Sequence, residues 1–248
     1  MEFLIYFILL ALLAEILGTV GGFGSSLFFV PIAGLFFDFH SVLGITALFH
    51  LSSNISKIVL FRKGFDKKLI INIGIPAVLF VIIGAFLSKF FDSKLLEITL
   101  AIFLIVISLT LIAFKHIAVK PTLINSLSGG ALSGITAGLL GTGGAIRGLT
   151  LAAFNLEKEV FIATSAIIDL GIDFSRSIVY FSNGYIHTHD LYLVPILLVV
   201  GIVGTFIGKK MLNLFSQAQF KYIVLILILI VGVLTLVKQV WSNAFAFI

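Results

Sequence analysis

The chain of 248 residues contains no cysteine. That excludes disulfide bridges and thiolate metal ligands, and it leaves the sequence silent about redox compartment. Charge is scarce as well: Asp, Glu, Lys and Arg supply 11% of the residues, against about a quarter in soluble domains. Beside 60% hydrophobic residues and a mean hydropathy of +1.25, this scarcity excludes a soluble globular domain and points to an integral membrane protein. A hydrocarbon core takes about 20 apolar residues per helical crossing, so the length accommodates roughly ten membrane segments and no separate soluble domain.

Two further features are missing. Lys and Arg number 16 against 11 Asp and Glu, yet no basic cluster is interleaved with aromatics. The surplus therefore belongs to loop orientation, no nucleic acid is expected, and the partner is the lipid bilayer. Nor does a basic n-region precede the first apolar run, 3–17, which follows Glu2 and is expected to be a retained membrane segment rather than a cleaved signal. His187 and His189, in a loop with Asp190, have the spacing of a solvated turn rather than of metal ligands. No metal or cofactor is expected.

What is present is a series of apolar runs, at about 3–17, 25–37, 42–61, 69–88 and 95–114, then 123–140, 145–154, 160–181, 190–208 and 219–238. The runs 25–37 and 145–154 are short for full crossings. They are expected to be half-helices or re-entrant pieces, which persist only where protein or a water-filled cavity covers their backbone.

Sliding the chain against itself by 120 positions superposes Gly18, Gly21 and Gly24 on Gly138, Gly141 and Gly144. The same offset pairs Ile58 and Val59 with Ile178 and Val179, Phe61 with Phe181, Gly64 with Gly184, Gly84 with Gly204, Phe86 with Phe206 and Lys89 with Lys209. So consistent a shift is a duplication. It divides the chain into a first transmembrane repeat, 1–120, and a second, 121–248.

Loop charge orients the halves, because cytoplasmic loops collect Lys and Arg. Loop 62–68 holds Arg62, Lys63, Lys67 and Lys68, and its counterpart 182–190 holds neither residue type. An odd number of crossings per half adds Lys115, Lys120, Lys158, Lys209, Lys210 and Lys221 to the cytoplasmic side and leaves Lys89, Lys94, Arg147 and Lys238 outside, ten against four. An even number gives seven against seven. The expected fold is an all-α integral membrane protein with two inverted-topology repeats of about five segments each and glycine-broken or re-entrant helices. Secondary transporters of that architecture place their substrate near the midplane between the halves; a duplicated scaffold without transport is the alternative.

The breaks are the first candidate site: Gly18-Thr-Val-Gly21-Gly22-Phe-Gly24-Ser25-Ser26 and Gly138-Leu-Leu-Gly141-Thr142-Gly143-Gly144-Ala145. Glycine lets the backbone unwind, and successive N–H groups at a helix start then point at an anion, helped by the helix dipole. Ser25, Ser26 and Thr142 add hydroxyl donors. Close helix packing through small residues is the other use of such spacing.

The second candidate is a polar stripe. Thr46, His50, Asn54 and Lys57 share one helix face, and at an offset of 119 Ser165, Asp169, Asp173 and Arg176 repeat it. Ionisable groups at membrane depth face a cavity or a partner. Lys57 and Arg176 are the natural anion ligands, while Asp169, Asp173 and His50 are candidates for carrying coupling protons. Against these stand an Asp173–Arg176 ion pair on one face and snorkelling of Lys57. Glu15 is placed to pair with a cation of the other half. Arg147 either completes an anion site or marks a segment end, Asn72 lies beside an apolar run, and Glu157 and Glu159 belong to a solvated loop. Gly22-Phe-Gly-Ser25 superficially matches a membrane serine hydrolase with His50 as base, but Ala145 stands where the second break would need the serine.

The doubled glycine pattern, each copy followed by an apolar segment and then by a polar helix ending Phe61-Arg-Lys-Gly64 or Phe181-Ser-Asn-Gly184, resembles the TauE/SafE family of membrane permeases over nearly the whole chain. The resemblance implies secondary transport of a small sulfur-containing anion, such as sulfite, sulfoacetate or another organosulfonate, in a bacterial or archaeal plasma membrane. A small anionic substrate is the implied partner, and a homodimer is compatible with it. Ala145, and Asp169 and Asp173 against His50 and Asn54, break the symmetry, so the halves are expected to contribute unequally. An intramembrane enzyme of the polyprenyl-diphosphate phosphatase type, which needs clustered Glu, and an uncoupled anion channel are the alternatives.

Overall fold

Inside a bilayer every backbone N–H and C=O must find its partner within the protein, and a helix satisfies both within one segment. The computed structural model describes residues 2–114, 119–212 and 217–245, with side chains over 4–114, 119–212 and 222–239; among these there are helices and no strand. Counting Lys67–Phe90 as one helix, the first half runs α1 (Glu2–Gly21), α2 (Ser26–Ala33), α3 (Phe39–Leu60), α4 (Lys67–Phe90) and α5 (Ser93–Ala113). The second runs α6 (Leu123–Leu140), α7 (Gly144–Ala152), α8 (Lys158–Ser182), α9 (Leu193–Met211) and α10 (Gln217–Phe245). Lys115 and the side chain of Lys221, both assigned above to the cytoplasmic side, lie outside the described residues.

Among the described residues seven helices, α1, α3, α4, α5, α6, α9 and α10, are long and apolar enough to cross a membrane. At 25 residues α8 has the length, but Asp169, Asp173 and Arg176 interrupt its apolar sequence. The eight residues of α2 and nine of α7 rise about 12 and 14 Å, less than half of a hydrocarbon core of about 30 Å. The short runs expected at 25–37 and 145–154 are therefore shorter still as helices.

Local chemistry sets the ends. Asp92 accepts from the Leu95 N–H at the start of α5, and Thr122 from the Asn125 N–H at the start of α6. In α4, Pro76 lacks an N–H and crowds the preceding turn, and the helix opens into a π-helical stretch at Ile70–Gly74. Asp38 caps α3 by accepting from the N–H groups of His40 and Ser41. Burial works to raise its carboxyl, but hydrogen bonds from Ser41, Ser93 and the backbone outweigh burial and hold it below its usual value. A lowered folded pKa means stability that is present above the unfolded value of about 3.9 and is lost as pH falls through the folded one. Asp38→Ala is expected to cost about 1 kcal/mol at pH 7 and less at pH 3; an equal loss at both pH values, by thermal unfolding in detergent, would contradict this.

The helices pack in matched pairs: α1 on α9 as α4 on α6, α3 on α9 as α4 on α8, α1 on α2 as α6 on α7, and α1 on α10 as α5 on α6. The contacts of α3 with α8 and of α5 with α10 correspond to themselves when each helix is exchanged for the one five places along. Where α4 meets α6, Gly130, Gly134 and Gly138 allow backbone to lie on backbone, so a Cβ at Gly138 would strike Val81 O and Ala85 N. The packing use of glycine is realised here. Gly138→Ala is expected to destabilise by about 1–3 kcal/mol, read as a lower unfolding midpoint in detergent; an unchanged midpoint would deny the close approach.

Burial is reversed relative to a soluble protein. Ile102, Val106 and Leu109 of α5 and Val199, Ile202 and Phe206 of α9 are exposed, while Glu15, Lys57, Arg147, Asp173 and Arg176 are buried. The apolar rim suits lipid, and the chemistry is collected in the middle.

Candidate functional site

Both long helices that open the halves stop at glycine. Gly22 and Gly24 after α1 and Gly141 after α6 have φ of +70°, +85° and +75°, a left-handed backbone that glycine adopts without strain. These turns redirect the chain into α2 and α7. The two starts meet: Ser26 Oγ and Thr142 Oγ1 are 3.1 Å apart. Between them α3 packs on α8 and joins the polar stripes, with Asn54 Nδ2 donating to Asp173 Oδ2 at 2.7 Å.

Three ion pairs surround this junction. Glu15 and Lys57 are 2.8 Å apart, Asp173 and Arg176 are 2.7 Å apart, and Asp169 pairs with Arg147. Five of the six side chains are essentially buried, and Asp169 alone keeps an appreciable exposed share, 16%. Three cations and three carboxylates give the centre no net charge, as burial demands when no further counter-ion is at hand.

Glu15 is held most heavily. Its Oε1 accepts from Thr19 (3.1 Å), Ser53 (2.6 Å) and Thr205 (3.0 Å) as well as from Lys57, and its Oε2 accepts from Ser25 Oγ at 2.6 Å. Because the single Ser25 hydroxyl proton goes to Glu15, His50 Nε2, 3.1 Å from Ser25 Oγ, is the donor in that contact. The serine hydrolase motif thus does meet its histidine, but the carboxylate sits on the serine. A nucleophilic relay needs the acid on the histidine and the serine proton directed at the base.

Arg176 donates through Nη1 to the carbonyls of Ala137 (3.1 Å) and Gly141 (2.7 Å) and through Nη2 to Asp173. Tyr180 Oη adds a bond to Gly138 O at 2.7 Å. The end of α6, negative by its helix dipole, is therefore closed by Arg176 and Tyr180. Arg147 donates through Nε to Ser165 Oγ at 3.0 Å and through Nη1 to Asp169. Its Nη2 and the Nε of Arg176 are buried with no acceptor.

The void at the centre is about 10 Å³ and is lined by Gly24, Ser25, Ser26, His50, Asn54, Lys57, Gly141, Gly143, Arg147, Asp169, Asp173 and Arg176. That is the room one water takes, so in this state the centre is closed. A second void adjoins it along Gly18, Thr19, Gly22, Ile162, Ser165 and Asp169.

Most residues singled out in the sequence converge here, with exceptions that have physical causes. Thr46 is buried away from both voids with its hydroxyl unpartnered. Gly21 ends α1, and Gly144 is pressed against the Phe23 carbonyl, so each shapes the turn rather than lining the space. Asn72 lies in a separate surface pocket with Asp66, Lys68 and Thr122. Glu15 takes its cation from its own half instead of the other, because α1 and α3 both pack on α9 and bring Ser53 and Lys57 to the carboxylate. Lys57 is 6% exposed and paired rather than snorkelling. Arg147, counted above among outside charges, is 1% exposed and central; without it the loop count becomes ten against three. Its signal in the sequence was a guanidinium three residues past a glycine break. Ser53 and Thr205 had none. Among the described residues no three His, Asp or Glu side chains are grouped to hold a metal.

Compared with known families, the chain matches the model described as Sulfite exporter TauE/SafE over residues 7–235. No curated protein and no solved structure matches it.

Proposed function

The chain belongs to the sulfite exporter TauE/SafE family, and from that premise we propose that it carries a small sulfur-containing anion across the plasma membrane by alternating access between two inverted repeats. The family is one of membrane anion exporters. The finer terms of the proposal, which are substrate, coupling and mode of access, rest on the centre of the molecule.

The observation that carries the reading is the meeting of two glycine-turned helix starts at a buried, charge-balanced centre. Helix starts offer N–H groups and positive dipole ends to an anion. Ser26 and Thr142 add hydroxyls, and Lys57, Arg147 and Arg176 add positive charge. A sulfonate or sulfite is larger than the room for one water, so loading requires the halves to separate. The exchange of each helix for the one five along suits a rocking motion of one half against the other, and the loop charges favour opposite orientations.

Neutrality favours coupling. An anion entering a centre of balanced charge leaves one negative charge unmatched, at a cost of several kcal/mol in a buried site. A proton taken up by Asp169, Asp173 or His50 removes that cost. The same balance argues for a carrier over an enzyme, since the acids are engaged in ion pairs.

The test is flux in proteoliposomes with radiolabelled sulfite and sulfoacetate, with and without a proton gradient. Saturable uptake that responds to the gradient is expected. No flux of any sulfur anion would overturn the reading, and unsaturable flux indifferent to the gradient would turn it into a channel.

A further inference from the structure

The three buried cations are not equivalent. Arg176 has both Nη atoms committed to α6 carbonyls and Asp173, and Lys57 is held by Glu15 and Ser53. Arg147 alone has a terminal nitrogen, Nη2, that is buried and meets no acceptor. That nitrogen lies 3.4 Å from where a Cβ on Gly24 would be and 3.6 Å from where one on Gly144 would be. It therefore stands between the two glycine breaks, and the missing side chains leave it the approach.

Its partner is also singular. Asp169 is the most exposed of the six charged groups, at 16%, and it lines both the central void and the adjoining one. Of the three carboxylates it alone borders both voids. Around it stand Lys57 and His50 on α3, Arg147 on α7, and Asp173 and Arg176 on α8 itself, with Glu15 beyond Lys57 on α1. The facing stretches of α4 and α6 carry no ionisable group.

We propose that Arg147 carries the charge of the transported anion, and that Asp169 is a tethered carboxylate occupying the anion's place until it arrives. The incoming monoanion takes Nη1 and Nη2 of Arg147 as a fork. Asp169 swings toward the adjoining void, which at about 10 Å³ must widen as the halves separate, and takes up one proton from the aqueous phase. Before the exchange three cations face three carboxylates; afterwards they face two carboxylates and the anion, and the centre stays neutral. One anion thus moves with one proton, and the proton-carrying residue is fixed by the same contact that binds substrate. The inference rests on the transporter reading above.

The experiment measures binding of methanesulfonate, which stays a monoanion at every pH used, to the full chain in nanodiscs across pH. For the wild type, affinity is expected to fall by about tenfold per pH unit where one proton accompanies one anion. Asp169→Asn, close to isosteric, frees Arg147 without a proton; it is expected to bind at least as tightly and to lose that slope. Arg147→Gln is expected to weaken binding at least about 100-fold, some 2.7 kcal/mol, with Arg147→Lys partly restoring it. A wild-type slope retained in Asp169→Asn, or Arg147→Gln binding within about threefold of wild type, overturns the inference. If Arg147→Gln does not fold, the Asp169→Asn titration decides alone. Failure of the wild type to bind at any pH would overturn the transporter reading itself, and is thereby told apart.

Discussion

Glu15→Leu is expected to destabilise the protein by about 3–5 kcal/mol and to abolish flux. The carboxylate is the acceptor for four hydroxyls and an ammonium, from Thr19, Ser25, Ser53, Thr205 and Lys57. These come from α1 itself, the first glycine break, α3 and α9. Leucine keeps the volume that Gly204 is shaped to accept, since a Cβ there would press on the Glu15 methylenes. What it removes is the acceptor. Lys57, 6% exposed, is left with Ser53 as its hydrogen-bond partner and no carboxylate in contact, and an unpaired buried charge is the costly case. Adding Lys57→Met should recover at least half of the loss, because removing both charges of a buried pair is far milder than removing one. Equilibrium unfolding in mixed micelles measures both variants. A Glu15→Leu protein within about 1 kcal/mol of wild type would show that the five donors contribute complementarity without net stability.

The same carboxylate shows what a sequence can and cannot disclose. That Glu15 lies at membrane depth follows from composition alone, and so does its need for a partner. Which cation it takes depends on how α1 and α3 are set against α9 and on the turn at Gly22 and Gly24, not on residue type. The matched contacts of the two sets of five helices go with glycine positions that fix a turn or a close approach and recur at one offset. The stripes were legible because helical periodicity places Asn54 and Lys57, or Asp173 and Arg176, on one face. Arg147 fell outside both patterns: it has no counterpart at the repeat offset, and its contacts to Ser165 and Asp169 are made between helices. Asymmetric functional groups on a symmetric scaffold are hidden from any comparison of the two halves.

Arg176→Gln is expected to act on folding rather than on binding, with a loss of about 3–5 kcal/mol. The last carbonyls of a helix have no partner within it. At the end of α6 those of Ala137 and Gly141 are taken by one Arg176 nitrogen, while the other holds Asp173. Glutamine cannot span the three acceptors, and it leaves Asp173 buried with Asn54 as its remaining bonded neighbour. Arg176→Lys restores the charge but not the planar fork, so it should recover less than half of the loss. Asp173→Asn in the Arg176→Gln background removes the stranded charge and should recover more than lysine does. Sulfoacetate affinity, measured on the folded fraction, should stay within about threefold of wild type in Arg176→Lys and in the Arg176→Gln/Asp173→Asn pair, which keep the charge of the centre balanced. Arg176 would instead be a substrate ligand if affinity fell 100-fold or more, about 2.7 kcal/mol, while the unfolding free energy held. The geometry favours the first outcome: Arg176 has only its inner Nε without an acceptor, because both terminal nitrogens are held by α6 carbonyls and Asp173, whereas Arg147 has a terminal nitrogen to offer between the two glycine breaks.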